Sequence, residues 1–424
     1  MSNHGPNAVR DGCLTAVLIA LLSLLLLVTP PLHAQKKNAP APAANAKPGD
    51  RETVYVDVNN IVWPNPPAIA RIRFVDLYVG EKIDRSKYEP KQKKQGWMDR
   101  LAGAQFTEQV KITSLPFQLI RTYGVAFDSK GMIYAADQGV AGIFVFDPEH
   151  KDKVDLIGKD QHVHFDMLAG IAIDDDDRLF AVDIKLRHVL VLNAKHESIG
   201  SFGADVLVRP GGIAIDRENR FLYVVYSGND VVDVFDADKL NLLRQIGKPS
   251  RKHDQTDPGT FSLPECVAVD NEGNVYVTDT FNNRIEIFDA EGQFISMFGK
   301  NGDGPADLER PKGIAIDSDG HIWVVDAAQN RVKVFSKEGR LLIYIGGQGY
   351  FPGQFMGPWG IAIDKSNRVL TSETFPGRVQ VFRYVTDAEA EAERGKRAGG
   401  DSQSSSTAKQ VNAPTAPKKE ATPN

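Results

Sequence analysis

Pro311-Lys-Gly-Ile-Ala-Ile-Asp-Ser-Asp-Gly-His-Ile-Trp-Val-Val-Asp-Ala-Ala-Gln-Asn-Arg-Val-Lys-Val-Phe335 is the stretch that decides the fold. It contains three short apolar runs rich in β-branched residues, separated by turn-forming Asp, Gly and Asn. Runs of that length between such breaks read as strands and not as helices. Ile322-Trp-Val-Val325 is apolar without alternation, as expected of a strand covered on both faces.

The first run recurs along the chain. Gly124-Val-Ala-Phe-Asp128, Gly170-Ile-Ala-Ile-Asp174, Gly212-Ile-Ala-Ile-Asp216, Cys266-Val-Ala-Val-Asp270, Gly313-Ile-Ala-Ile-Asp317 and Gly360-Ile-Ala-Ile-Asp364 follow one another at steps of 46, 42, 54, 47 and 47 residues. Several short strands per unit at this period indicate a β-propeller, not a helical solenoid. Within each unit a tight turn such as Asn271-Glu-Gly-Asn274 precedes the second strand, and a loop leads to the third. A second short turn leads to an outer strand such as Phe294-Ile-Ser-Met-Phe298. The expected fold is therefore all-β: a single six-bladed propeller of four-stranded antiparallel blades over residues 116–385. The sixth unit has no fourth strand after Arg378-Val-Gln-Val-Phe382. Residues 70–79, Ala-Arg-Ile-Arg-Phe-Val-Asp-Leu-Tyr-Val, alternate like the missing strand and are expected to close the ring and cover its open edge. They lie in an N-terminal segment, 54–115, with a short helix expected around Trp97 at 94–104.

The 311–335 stretch resembles an NHL repeat, as does Asp279-Thr-Phe-Asn-Asn-Arg-Ile285. The similarity extends over all six units, strongest in the fourth and fifth and weakest in the first and third. NHL propellers host RNA binding, protein binding and enzymes alike, so the resemblance implies a fold far more than a function.

The remainder of the chain bears on location. An apolar run of 16 residues, Cys13 to Val28, follows a polar start with Arg10 and leads to Ala34. The run is short for a membrane span, so residues 1–34 are expected to be a signal peptide, with cleavage before Gln35. Leu32 is large for a cleavage site, which leaves an uncleaved anchor as the alternative. Residues 35–53 read as a disordered Ala/Pro/Lys linker and 386–424 as a disordered tail. The chain is thus expected to be extracytoplasmic, in the periplasm or secreted. A net charge of -5 gives no polybasic signal for nucleic acid. Cys13 and Cys266 are the two cysteines, which excludes a disulfide framework, a CxxC zinc pair and a haem attachment motif.

Antiparallel connectivity sends the long loops to one face: Gly158–Ala169, Gly247–Glu265, Gly299–Lys312 and Gly346–Trp359. Loops on a rigid ring are where binding concentrates, so that face is the candidate site. At its mouth, directly before the inner strands, stand Tyr123, Ala169, Gly211, Glu265, Lys312 and Trp359. Tyr123, Glu265, Lys312 and Trp359 depart from the small-residue pattern and are the candidate ligand-binding residues; the competing reading is that they plug the channel and pair with each other. The second strands end in Asp137, Asp183, Tyr226, Asp279, Asp326 and Glu373, followed five positions later by Gly142, His188, Val231, Arg284, Arg331 and Arg378. Blade 3 loses acid and base together. Structural pairing is therefore expected for Asp183 with His188, Asp279 with Arg284, Asp326 with Arg331, and Glu373 with Arg378. Asp174-Asp-Asp-Asp177 occupies a tight-turn slot and lacks a calcium-loop ligand spacing. His162 and His164 form the weak candidate for a metal.

No catalytic residue can be named, and the reading favoured is a non-catalytic module for a protein or cell-envelope polymer. No nucleic acid partner is expected, and no transmembrane domain unless the signal is retained. The alternative is a metal-dependent lyase or hydrolase resembling the amidating-lyase and lactonase propellers. The lyase-like pattern, however, places histidines at the mouth positions. No cofactor is called for; calcium and zinc are the two metals left open.

Overall fold

A computed structural model describes residues 58–81, 117–151, 153–158, 163–250 and 257–404. The expected signal peptide, linker and Trp97 helix, and residues 405–424 of the tail, lie outside them. Six sheets of four antiparallel strands form the ring. Their innermost strands are Thr122–Phe127, Leu168–Ile173, Pro210–Asp216, Pro264–Val269, Pro311–Ile316 and Pro358–Ile363. These innermost strands are buried along most of their length, as their small and apolar residues require.

The ring closes through the N-terminal segment. Ile72–Tyr78 pairs antiparallel with Gly377–Tyr384, the third strand of blade 6, with Phe74 opposite Phe382. Val62–Trp63 adds a fifth strand outside it. Phe382 is then enclosed by Phe74 and Trp63, with ring centroids at 5.6 and 5.8 Å. The apolar core is divided among the seams between blades. Six buried clusters occupy the six seams; the one joining blades 6 and 1 includes Tyr78 from the closing strand. Blades approach closely at the axis: a Cβ on Gly124 would stand 2.6 Å from the carbonyl of Ala169, and one on Gly313 2.6 Å from that of Trp359.

The Asp that ends each repeat motif is a turn-former. Asp128, Asp174, Asp270, Asp317 and Asp364 each accept the N–H groups of the residues two and four positions on, and Asp216 does nearly the same. These are Asx turns, and they fix the short-turn face. Asp174 also binds Arg178 and Arg220, so the acidic run there belongs to the scaffold.

The expectation of a disordered tail from residue 386 is corrected over its first part, because helix α1 spans Asp387–Ser404. Thr386 and Glu389 make a capping box: Glu389 N–H donates to Thr386 Oγ1 at 3.2 Å, and Thr386 N–H to Glu389 Oε2 at 2.9 Å. Ala390 is buried, and Glu389 and Glu393 reach Arg383 and Arg73 at 2.8 and 3.1 Å. No helix among the described residues is long and apolar enough to cross a membrane.

Candidate functional site

The second-strand acids come first, because they build the long-loop face. Asp137, Asp183, Asp279, Asp326 and Glu373 each accept the backbone N–H of the residue 17 positions earlier: Ile120, Asp166, Ser262, Glu309 and Met356. Each of these carboxylates is buried. Each one pins the loop that enters its own blade, satisfying N–H groups that no strand partner reaches.

The basic residues divide. Arg284 meets Asp279 at 2.9 Å, and Arg378 makes a two-pronged contact with Glu373 at 2.5 and 2.9 Å. Two expected pairs do not form. Asp183 is occupied by the N–H groups of Asp166, Met167, Lys185 and Leu186, while His188 Nε2 is buried without a hydrogen-bond partner. An imidazole is shorter than a guanidinium and does not span the same gap. Asp326 pairs instead with the fully buried Lys333, at 3.0 Å, because a buried ammonium needs a counter-charge. Arg331 stacks over Tyr344 at 4.6 Å.

Lys333 belongs to a set that the repeat analysis missed. At the centre of the third strands, blades 3 to 6 bury Asp233, Glu286, Lys333 and Gln380. Glu286 accepts the Gly259 N–H and faces Arg284 at 2.6 Å, and Gln380 accepts the Gly353 N–H. Glu286, Lys333 and Gln380 hold the long crossings from below, whereas Asp233 accepts from Gln245 of the outer strand at 2.7 Å. Burial pushes the Glu286 carboxyl up to about 7, against the pull of Arg284, and pushes the Lys333 amine down.

The mouth residues are assembled by a repeated irregularity. Every innermost strand carries a register shift just after its first residue, between Thr122 and Val125 in blade 1 and at the equivalent places in the other five. Tyr123, Ala169, Gly211, Glu265, Lys312 and Trp359 all lie within these bulges, which bend the strand and redirect its side chains. Tyr123 and Trp359 meet edge to face, with centroids 5.1 Å apart, across the closing seam. Lys312 Nζ stands 2.5 Å from Glu265 Oε1, joining blades 4 and 5. Trp359 is 8% exposed, and burial pushes the Tyr123 hydroxyl up. The four residues are thus brought together, aromatic against aromatic and charge against charge. Beneath them the channel holds about 40 Å³ between the inner glycines, room for roughly three waters and too little for an organic ligand. Cys266 is buried there, and burial pushes its thiol up, so it is not a nucleophile. His164 is exposed, and His162 lies outside the described residues.

The two faces differ in apolar exposure. On the loop face Phe375 is 65% exposed, Tyr350 58%, Phe351 57%, Ile120 57% and Phe281 50%. Among the described residues the short turns of the opposite face expose no large apolar side chain; the other exposed ones lie mainly on outer strands such as Phe294–Phe298.

Comparison with known proteins agrees with this architecture. The family described as a 6-bladed beta-propeller matches residues 262–332 and 317–385, which are blades 4 to 6. A probable peptidyl-alpha-hydroxyglycine alpha-amidating lyase of Caenorhabditis elegans is 29% identical over 115 residues, 27% of this chain and 32% of that protein. The protein brain tumor of Drosophila melanogaster is 44% identical over 50 residues, 12% of this chain and 5% of its own length. The chain therefore matches a third or less of each curated relative. A Bacteroides thetaiotaomicron protein of unknown function superposes with a TM-score of 0.51 at 18% identity, covering 62% of this chain and 70% of that one. That likeness is one of fold alone. The chain is a six-bladed β-propeller.

Proposed function

We propose that this propeller is an exported NHL-type module that binds a protein or cell-envelope polymer on its long-loop face without transforming it. The observation that carries the reading is the one-sided exposure of Ile120, Phe281, Tyr350, Phe351 and Phe375 over a pinned set of loops. Exposed apolar groups on a rigid surface are characteristic of interaction sites. Tyr123, Glu265, Lys312 and Trp359 form the floor of this site, closing the channel under the ligand. A Trp359→Ala, Lys312→Ala double variant tests the floor. It should remain folded by circular dichroism and lose affinity for the envelope ligand; a folded variant with unchanged binding would remove the floor from the site. Export is tested by the mature N-terminus, expected at Gln35.

A second reading, a metal-dependent lyase, is favoured by the partial similarity to the amidating lyase. The donor set fits it poorly. Among the described residues no three His, Cys, Asp or Glu side chains are grouped to hold a metal ion, and Glu265 already holds Lys312. Metal analysis of the purified protein separates the readings, since stoichiometric zinc or calcium would favour the lyase.

A further inference from the structure

The residue immediately before each innermost strand follows a pattern that the scaffold does not require. Blades 1, 3 and 5 place Arg121, Arg209 and Arg310 there, and blades 2, 4 and 6 place Met167, Leu263 and Gly357. The three arginines are exposed, and among the described residues none of their guanidinium groups has a hydrogen bond or an ion pair. On the short-turn face Arg178, Arg220 and Arg368 are held by Asp174, Asp238 and Asp364 at 2.7, 2.8 and 2.7 Å, while Arg340 is exposed.

Two of these mouth arginines swing from a fixed base. The N–H of Arg121 donates to Asp137 at 2.8 Å, and its carbonyl accepts from Gln138 at 2.9 Å. Arg310 is fixed likewise, by Asp326 at 3.0 Å and by the N–H of Ala327 at 3.0 Å. Arg209 has a φ of 58°, a backbone region that a branched or long side chain seldom occupies, so its placement is also specified. Four carboxylates at the mouth are engaged elsewhere. Asp137 and Asp326 are buried on backbone N–H groups, Glu265 holds Lys312, and Asp166 holds Lys185 at 2.7 Å. Asp205, Asp303 and Glu309 are exposed acids on the same loops, and none of them pairs with a guanidinium of the three. Arg121 also acts on the Tyr123 hydroxyl, offsetting part of the rise caused by burial, so its charge is felt at the mouth.

From this arrangement, and resting on the loop-face reading above, we infer that the mouth receives an acidic polypeptide segment whose carboxylates meet Arg121, Arg209 and Arg310. Unpaired guanidinium groups on rigid backbone are the preferred partners of carboxylates, which they bind through two parallel N–H donors. The alternation of these cations with Met167 and Leu263, inside the outer ring of Phe281 and Phe375, suits a chain carrying both carboxylates and apolar side chains. A polysaccharide offers the C–H faces of its rings but no apolar side chains that reach between the blades. The closed channel keeps such a ligand on the surface, where an extended segment would cross several blades. The net charge of the chain is -5, so the cationic mouth also directs an acidic partner away from the remaining surface.

The test uses a fluorescein-labelled peptide in which Glu and Phe alternate with Gly-Ser spacers, and a counterpart with Lys in place of every Glu. Anisotropy titrations at low salt should give saturable binding of the Glu peptide, weakened by added salt, and none of the Lys peptide. Removing three surface charge contacts by Arg121→Gln, Arg209→Gln and Arg310→Gln together should lower affinity about tenfold or more. Triple replacement by Lys should restore part of it, which a merely structural role would not predict. Lys130→Gln, Lys195→Gln and Lys365→Gln on the opposite face should change affinity less than about twofold. Absence of saturable Glu-peptide binding, equal binding of the Lys peptide, or an unaffected Arg triple variant overturns the inference. If the Lys peptide binds and Phe281→Ala with Phe375→Ala abolishes that binding, the loop-face reading stands and the acidic specificity falls. If only the opposite-face variant loses binding, both fall.

Discussion

Lys312 Nζ and Glu265 Oε1 stand 2.5 Å apart, each side chain 15% exposed, so one ion pair spans the seam between blades 4 and 5 at the mouth of the channel. A pair this sheltered is costly to break from one side, because the surviving charge is left without compensation. Lys312→Met or Glu265→Gln alone should destabilise the fold by about 1–3 kcal/mol, and the double variant by less than the sum. Denaturant titration of the four proteins measures the coupling. Strict additivity would mean that the two groups do not interact in solution.

Asp279 combines a backbone anchor with two side-chain partners, holding Ser262 N–H, Asn282 and Arg284 at 2.7, 2.7 and 2.9 Å. Asp279→Asn should cost about 2–4 kcal/mol, since it weakens a buried charge pair and one anchor of the longest crossing loop. Thermal unfolding checks the loss. Ligand binding at a temperature where the variant is folded should be unchanged; a variant of unchanged stability that no longer binds would make the carboxylate a ligand group.

Glu286 gives the molecule a pH signature. Its folded carboxyl is raised to about 7 from 4.5, so the native state holds a proton that the unfolded chain releases. For an acid raised in this way, stability is highest below the unfolded value and falls as pH climbs through the window from about 4.5 to about 7. Glu286→Gln removes the titration. Its stability relative to the parent should therefore rise between pH 5 and pH 8 by about 1–3 kcal/mol. A difference that stays flat across that range would show that Glu286 titrates normally.

Ring closure rests on Ile72–Tyr78 against Gly377–Tyr384. Phe74→Ala should cost about 3–4 kcal/mol by opening a cavity against Phe382. Deleting residues 54–80 should abolish cooperative unfolding or cause aggregation by exposing a strand edge. An unchanged melting curve for the deletion would place the closing strand elsewhere.

The fold was legible because the repeat motif carries its own explanation: Gly and Ala where strands crowd the axis, and an Asp that forms the next turn. The closing strand was legible because residues 70–79 alternate and blade 6 lacks an outer strand of its own. What the sequence concealed was partner choice. Five positions separate Asp326 from Arg331 just as they separate Asp279 from Arg284, yet Lys333, two residues further, takes the first carboxylate. The main partners of all five acids are backbone N–H groups 17 residues upstream, and no residue type announces a backbone donor. The helix from Asp387 could have been found, since Thr386-Asp-Ala-Glu389 is a capping-box pattern ahead of alternating Ala and Glu. It was obscured by a composition that offers little to bury. At the mouth, the repeat spacing placed Tyr123, Glu265, Lys312 and Trp359 at equivalent positions, while their pairing and the exposed apolar ring around them required coordinates.

The central claim, that the long-loop face is the binding surface, is tested most directly by site-specific photo-crosslinking. A benzophenone side chain replaces Phe281 or Phe375 on the loop face and Lys130 or Lys365 on the short-turn face, and irradiated cells are examined for adducts. Defined adducts from Phe281 and Phe375, with none from Lys130 and Lys365, are the expected result. Adducts confined to the short-turn positions would contradict the account.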